Sequence, residues 1–193
     1  MGAPYIQDKE LKKAIKELNK IPKNVNHATA RALNDGLVTC GKVAAQETAK
    51  EYVIKQADIK STFKKHKASI GHLEAKINSE GEKLKLSFFP YSPNQTTNKK
   101  RKNGKPYASS KVKVRVKRNE GRKVVHHALP AFSNKGIYYR KSKKRFPIQT
   151  MFTTSIPGMI ENPKVGEIAV EKGSEQAEKR LIHHLERLIG GGK

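Results

Sequence analysis

The chain has 193 residues, with 41 Lys and Arg against 17 Asp and Glu, a formal charge of +24, and one cysteine. A single cysteine excludes an intrachain disulfide and fits a reducing cytoplasm. A charge this large is rare among ordinary cytosolic enzymes and points to a polyanionic partner: nucleic acid, an anionic surface or an acidic protein.

In chain order, "DKELKKAIKELNK" (8–20) reads as a short helix, with Leu11, Ile15 and Leu18 at helical spacing and Pro22 ending it. A long helix is expected over "KNVNHATARALNDGLVTCGKVAAQETAKEYVIK" (23–55), with Leu33, Leu37, Cys40 and Ala44 on one face and Asn24 as its N-cap. Gly36 and Gly41 each cost such a helix about 1 kcal/mol, so they mark a close helix contact or a bend. Asp58 is expected to cap a further short helix, "IKSTFKKH". A β region follows. Leu73, Ala75 and Ile77 alternate in one arm, and Leu84, Leu86 and Phe88 in the next, with Ser79-Glu80-Gly81 as the turn of a hairpin. "PYSPNQTTNKKRKNGKPYASS" (90–110) reads as a long mobile loop. "KVKVRVKRNEGRKVVHHALPAF" reads as a second hairpin around Asn119-Glu120-Gly121. In it Val112, Val114 and Val116 face inward, and the cations between them face outward, about 6.8 Å apart. Pro163 opens a last helix reaching Ile189, with Leu181, Ile182, Leu185, Leu188 and Ile189 as its apolar stripe and Gly190–Gly192 ending it. Helices, then strands, then a helix, without βαβ alternation, give an α+β fold with antiparallel hairpins forming a small sheet, in one domain over 1–193.

The charge is concentrated. Residues 99–145 hold 18 basic residues against Glu120 alone, a net +17, whereas 146–193 hold six of each sign. The residues expected to meet an anionic partner follow from this: Lys99, Lys100, Arg101, Lys102 and Lys105 in the loop; Lys111, Lys113, Arg115 and Lys117 on the strand; and Arg140, Lys141, Lys143, Lys144 and Arg145 beyond it. The bland alternative is a solvated basic loop. Tyr107, Tyr138 and Tyr139 are placed to stack on bases or to pack.

Enzymatic signatures are lacking. His126-His127 fall in an expected strand and face opposite ways, and His183-His184 sit about 100° apart on a helix. No His or Cys pair has zinc spacing, so neither metal nor other cofactor is expected. Cys40, on an apolar helix face, reads as a core residue rather than a nucleophile. No stretch approaches the roughly 18 apolar residues that span a bilayer, and no membrane is expected among the partners.

The segment "RKSKKRFPIQTMFTTSIPGMI" (140–160) runs from a basic cluster into Phe146-Pro147-Ile148 and then Ser155-Ile156-Pro157 and Met159. This resembles the phage minor tail protein Z family, where a basic "Arg-hydrophobic-Pro-Ile" precedes a "Ser-Val-Pro" and a Met. "LPAFSNKGIYYRK" (129–141) is similar to its "Leu-Pro-Gly-Ala-Phe … Arg" stretch, without the glycine between Pro130 and Ala131. "EYVIKQADIKSTFKKHKAS" (51–69) is similar to its "Val-Lys-Gln-Lys-Asp-Ile-Arg" segment. The resemblance implies a non-catalytic tail-completion protein of long-tailed phages, acting at the head-proximal end of the tail in the joining of tail to head. It implies assembly in the host cytoplasm, a homo-oligomeric ring, and contact with the tail terminator, the tail tube or other neck proteins, and with packaged DNA. The apolar residues of 146–159, Phe146, Pro147, Ile148, Phe152, Ile156, Pro157 and Met159, are then the expected assembly interface. The reading that needs no tail is an electrostatic DNA- or RNA-binding accessory protein.

Overall fold

A computed structural model of the chain describes residues 24–92, 112–130, 136–142, 144 and 146–189. The expected helix at 8–20, the Gly190–Gly192 terminus and the loop beyond residue 92 lie outside them. In order, the elements are α1 (Asn24–Glu51), α2 (Gln56–Lys60), β1 (Phe63–His66), β2 (Lys76–Ser79), β3 (Lys83–Lys85), a 3₁₀ turn (Leu86–Phe88), β4 (Tyr91–Ser92), β5 (Lys113–Val114), β6 (Lys123–Val124), β7 (Ala128–Pro130), β8 (Ile137–Arg140), β9 (Ile148–Thr150), β10 (Phe152–Ser155), α3 (Ile156–Ile160) and α4 (Pro163–Ile189). The fold is α+β, with helices toward both ends and small antiparallel sheets between. The chain forms two compact units, one of residues 1–48, 55–81 and 156–193, the other of 49–54 and 82–155.

In the first unit both long helices bury rows of small residues four apart. On α1 the row includes Ala28, Ala32, Gly36, Cys40, Ala44 and Thr48; on α4 it is Val165, Ala169, Gly173, Ala177 and Leu181. Short side chains on such i±4 ridges let two helices approach closely. A Cβ on Gly36 would lie 2.7 Å from the Gly173 carbonyl oxygen, so the helices meet backbone to backbone there. The apolar stripe expected on α4 is therefore shifted. Leu181 is buried, but Ile182 and Leu188 are exposed, because the seam follows the small residues rather than the large ones. Asn162 caps α4, its Oδ1 accepting from the Lys164 N–H at 3.3 Å, with Pro163 in the first position, where the missing N–H has no helical partner to lose. Thr29, Thr39 and Thr48 fit inside α1 by donating their hydroxyls to carbonyls four residues back.

Two expectations change here. "FKKH" is strand β1, not helix, and Asp58 lies inside α2, whose preceding residue Lys55 makes no side-chain cap. The hairpin expected around Ser79-Glu80-Gly81 does not form. β2 turns back to pair with β1, Phe63 opposite Ser79, whereas β3 pairs with β10 in the second unit. Alternation marked the strands correctly but does not encode the partner.

The second unit holds three small sheets, β4-β5-β6, β7-β8-β9 and β3 with β10, and buries Phe89, Val112, Val114, Ile137 and Tyr52. Backbone bonds link the last two: the Met151 N–H donates to the Ile137 carbonyl, and the Leu86 N–H to the Met151 carbonyl, both at 2.9 Å. The hairpin around Asn119-Glu120-Gly121 is present, with Lys113 opposite Val124. It is shorter than expected. His126-His127 form a turn rather than strand, His127 taking φ 59, and the chain restarts as β7 in a different sheet.

Candidate functional site

The strand "KVKVRVKR" alternates as its sequence dictates: Val112 and Val114 are buried, Lys113 and Arg115 exposed. Beyond Val114 it pairs with the segment that follows α1. The Val53 N–H donates to the Val116 carbonyl and the Arg118 N–H to the Glu51 carbonyl, each at 2.8 Å, with Tyr52 opposite Lys117. This pairing brings Arg118 to the last turn of α1, whose carbonyls have no helical partner. Its Nε donates to the carbonyls of Ala49, at 2.7 Å, and Tyr52, at 3.2 Å, placing a cation at the negative end of the helix dipole.

The hairpin's lysines and arginines then part company. Lys117 lies 3.6 Å from both Glu51 and Glu120, and Lys123 pairs with Glu120. The carboxyl of Glu120 is held below the usual glutamate range, chiefly by the Lys123 hydrogen bond, and Lys117 is raised, chiefly by Glu120. Arg115 and Arg118 donate to carbonyls instead. Arg115 donates through Nη2 to the Arg118 carbonyl, its own N–H donates to the Pro90 carbonyl at 3.0 Å, and no carboxylate among the described residues pairs with Arg115, Arg118 or Arg122. These three arginines line an open groove of about 440 Å³ with Val53, Pro90 and Gly121.

Of the cations expected from sequence, Lys99, Lys100, Arg101, Lys102, Lys105, Lys111, Lys143 and Arg145 lie outside the described residues. Arg140, Lys141 and Lys144 are exposed at the end of β8 and just after it. Lys113 is exposed on β5, Arg115 enters the groove, and Lys117 is engaged by Glu51 and Glu120. Arg118 and Arg122 were not singled out by the alternating pattern. Arg118 ends it, and Arg122 follows the turn glycine; their common signal is a pair of cations flanking a tight turn.

The apolar residues of 146–159 also divide. Phe146, Ile148 and Phe152 are 64, 43 and 53 % exposed, and Pro147 is exposed beside them. Ile156 and Met159 are buried within the first unit, and Pro157 is half-buried, in the first turn of α3. The side chains of Ile156 and Met159 are taken up by the chain's own core, whereas those of Phe146, Ile148 and Phe152 are exposed. Cys40 is buried, and burial pushes its thiol up. The rings of His183 and His184 lie 5.9 Å apart, and His184 is lowered by burial and then by its neighbour. Among the described residues no cluster of three or more His, Cys, Asp or Glu is placed to hold a metal ion, and no helix is long and apolar enough to cross a membrane.

Compared with known proteins, residues 9–189 match the family model described as prophage minor tail protein Z. No curated protein and no solved structure was found to match.

Proposed function

The chain belongs to the prophage minor tail protein Z family, and from that membership we propose that it is a tail-completion protein. In this reading it is a structural, non-catalytic virion component at the head-proximal end of the tail, needed to finish the tail and to join it to the head. Assembly takes place in the host cytoplasm, and the working form is a homo-oligomeric ring. The family match carries the reading, since it runs through both compact units. The charge pattern supports the position. A ring in which each subunit brings +17 within residues 99–145 offers an attractive path to phosphates where DNA passes from head to tail, or a docking face for acidic neck proteins. Phe146, Pro147, Ile148 and Phe152 add an exposed apolar group suited to contact with a tail terminator, tail tube or sister subunit.

The test is genetic and visual. Particles made without this protein are imaged by electron microscopy, and plaque formation is rescued by the chain supplied in trans. Headless tails or unjoined heads in the deletion, restored by the chain, are expected. Normal tailed, infectious virions in the deletion would remove the completion role. Replacing Lys99, Lys100, Arg101 and Lys102 by Ser tests the charge separately. Lowered infectivity or DNA retention is expected, and normal particles would mean that this run of charge is only solvated.

A further inference from the structure

We propose that the groove of Arg115, Arg118 and Arg122 receives an acidic peptide segment of another virion protein. The guanidinium groups hold its carboxylates, and an apolar side chain between them rests on Val53 and Pro90. Only the source of the peptide rests on the tail-completion reading.

The first argument is the sorting of charge. Within one hairpin, Lys117 and Lys123 are neutralised by Glu51 and Glu120, while the three arginines have no carboxylate among the described residues. The carboxylates at this hairpin, Glu120 of the turn and Glu51 at the end of α1, are thus already engaged by lysine, and the forked donors that match a carboxylate best are left open toward the groove. The second is preorganisation. Arg118 is fixed through Nε by the Ala49 and Tyr52 carbonyls, which leaves both its terminal nitrogens free, and Arg115 is fixed by the Arg118 carbonyl. A guanidinium already held in place loses little rotamer freedom when a ligand arrives. The third is the lining. About 440 Å³, with a half-buried valine and an exposed proline, suits a few side chains of a peptide. A DNA duplex is too broad to enter. It could only lay phosphates across the rim, leaving Val53 and Pro90 without a partner. Gly121 also lines the groove, and a Cβ there would meet nothing within 4 Å, so a larger side chain fits at this position without displacing a neighbour.

The experiment uses the isolated full chain and fluorescence anisotropy of a labelled, end-blocked peptide of sequence DELDE, with NQLNQ as its uncharged counterpart and a 12-base-pair DNA duplex as the rival. DELDE is expected to bind and NQLNQ not. Arg122→Gln should weaken DELDE about tenfold, the effect of losing one charge-assisted contact. Gly121→Leu should weaken it at least as much by occupying the groove. Lys85→Gln, which removes an exposed charge on β3, should change it less than about twofold, as a surface charge acting only through the general field. Arg122 makes no bond within the described chain and Gly121 is unhindered, so both variants should keep the parent melting temperature. The proposal is overturned if DELDE fails to bind, if Lys85→Gln costs as much as Arg122→Gln, or if Arg122→Gln and Gly121→Leu weaken the duplex and leave DELDE unchanged, which would make the groove a phosphate seat. Since binding is read on the isolated chain and tail completion on particles, either can fail while the other stands.

Discussion

Asn34 gives both ends of its carboxamide to one residue: Nδ2 donates to the Ala68 carbonyl at 3.0 Å, and the Ala68 N–H donates to Oδ1 at 2.9 Å. The side chain thereby stands in for a strand partner and pins the segment after β1 to α1. Asn34→Ala leaves a buried alanine's backbone N–H and C=O unsatisfied, and should cost about 1–3 kcal/mol in denaturant unfolding. Asn34→Asp keeps the acceptor and loses the donor, so it should fall between. Equal stability of all three would mean that water replaces the amide at no cost. Glu120 offers a pH test on the other unit. Its folded value lies below the ordinary glutamate value, chiefly through the Lys123 hydrogen bond. The lowered carboxylate therefore contributes stability that is present above the ordinary glutamate value and lost as pH falls through the folded value. The measurement is the carboxyl chemical shift of Glu120 against pH. Its midpoint should lie below that of an unpaired glutamate and move back up in Lys123→Gln; a midpoint indifferent to Lys123 would sever the link.

Helices and strands differ in how much of them the sequence carries. α1 and α4 were readable because a helix satisfies its hydrogen bonds within itself. Periodicity, Pro163 at the start of α4, and the glycines at 36 and 41 are all local signals. The strands run two to four residues, and their partners sit far away in sequence. β2 lies opposite β1 rather than β3, and β3 waits for β10 some seventy residues on. The same holds for the groove. Arg115 was legible through the valine alternation, whereas Arg118 matters because of carbonyls 66 and 69 residues earlier. The α1–α4 seam gives an element-level prediction. Gly36→Ala would set a Cβ 2.7 Å from the Gly173 carbonyl and 2.8 Å from the Ala177 Cβ. Overpacking costs about 1–3 kcal/mol, against about 1 kcal/mol gained in helix propensity. The variant should therefore melt below the parent despite being the better helix former. A higher melting temperature would show that the helices separate without penalty.

At the scale of the molecule the two units divide the chemistry. All of residues 99–145, with their net +17, belong to the second unit, while the first is built on a seam of small residues. This separation sets what the whole chain should do with DNA. Cations concentrated in one stretch of sequence bind duplexes non-specifically through phosphates, with a dissociation constant of about 10⁻⁴–10⁻⁶ M at physiological salt and a logarithmic salt slope of about −0.9 per phosphate contacted. The full chain is expected to behave this way. Replacing Lys99, Lys100, Arg101 and Lys102 by Ser should flatten the slope by as much as about 3.6 if each contacts a phosphate. Titrations of a random-sequence duplex at several salt concentrations measure both. Weak binding with a flattened slope in the variant fits a tail component that meets DNA only where assembly concentrates it. Nanomolar binding by the isolated chain at physiological salt would instead favour an accessory DNA- or RNA-binding protein. An unchanged slope would move the phosphate contacts to cations the four substitutions leave in place, among them the exposed Lys113, Arg140, Lys141 and Lys144.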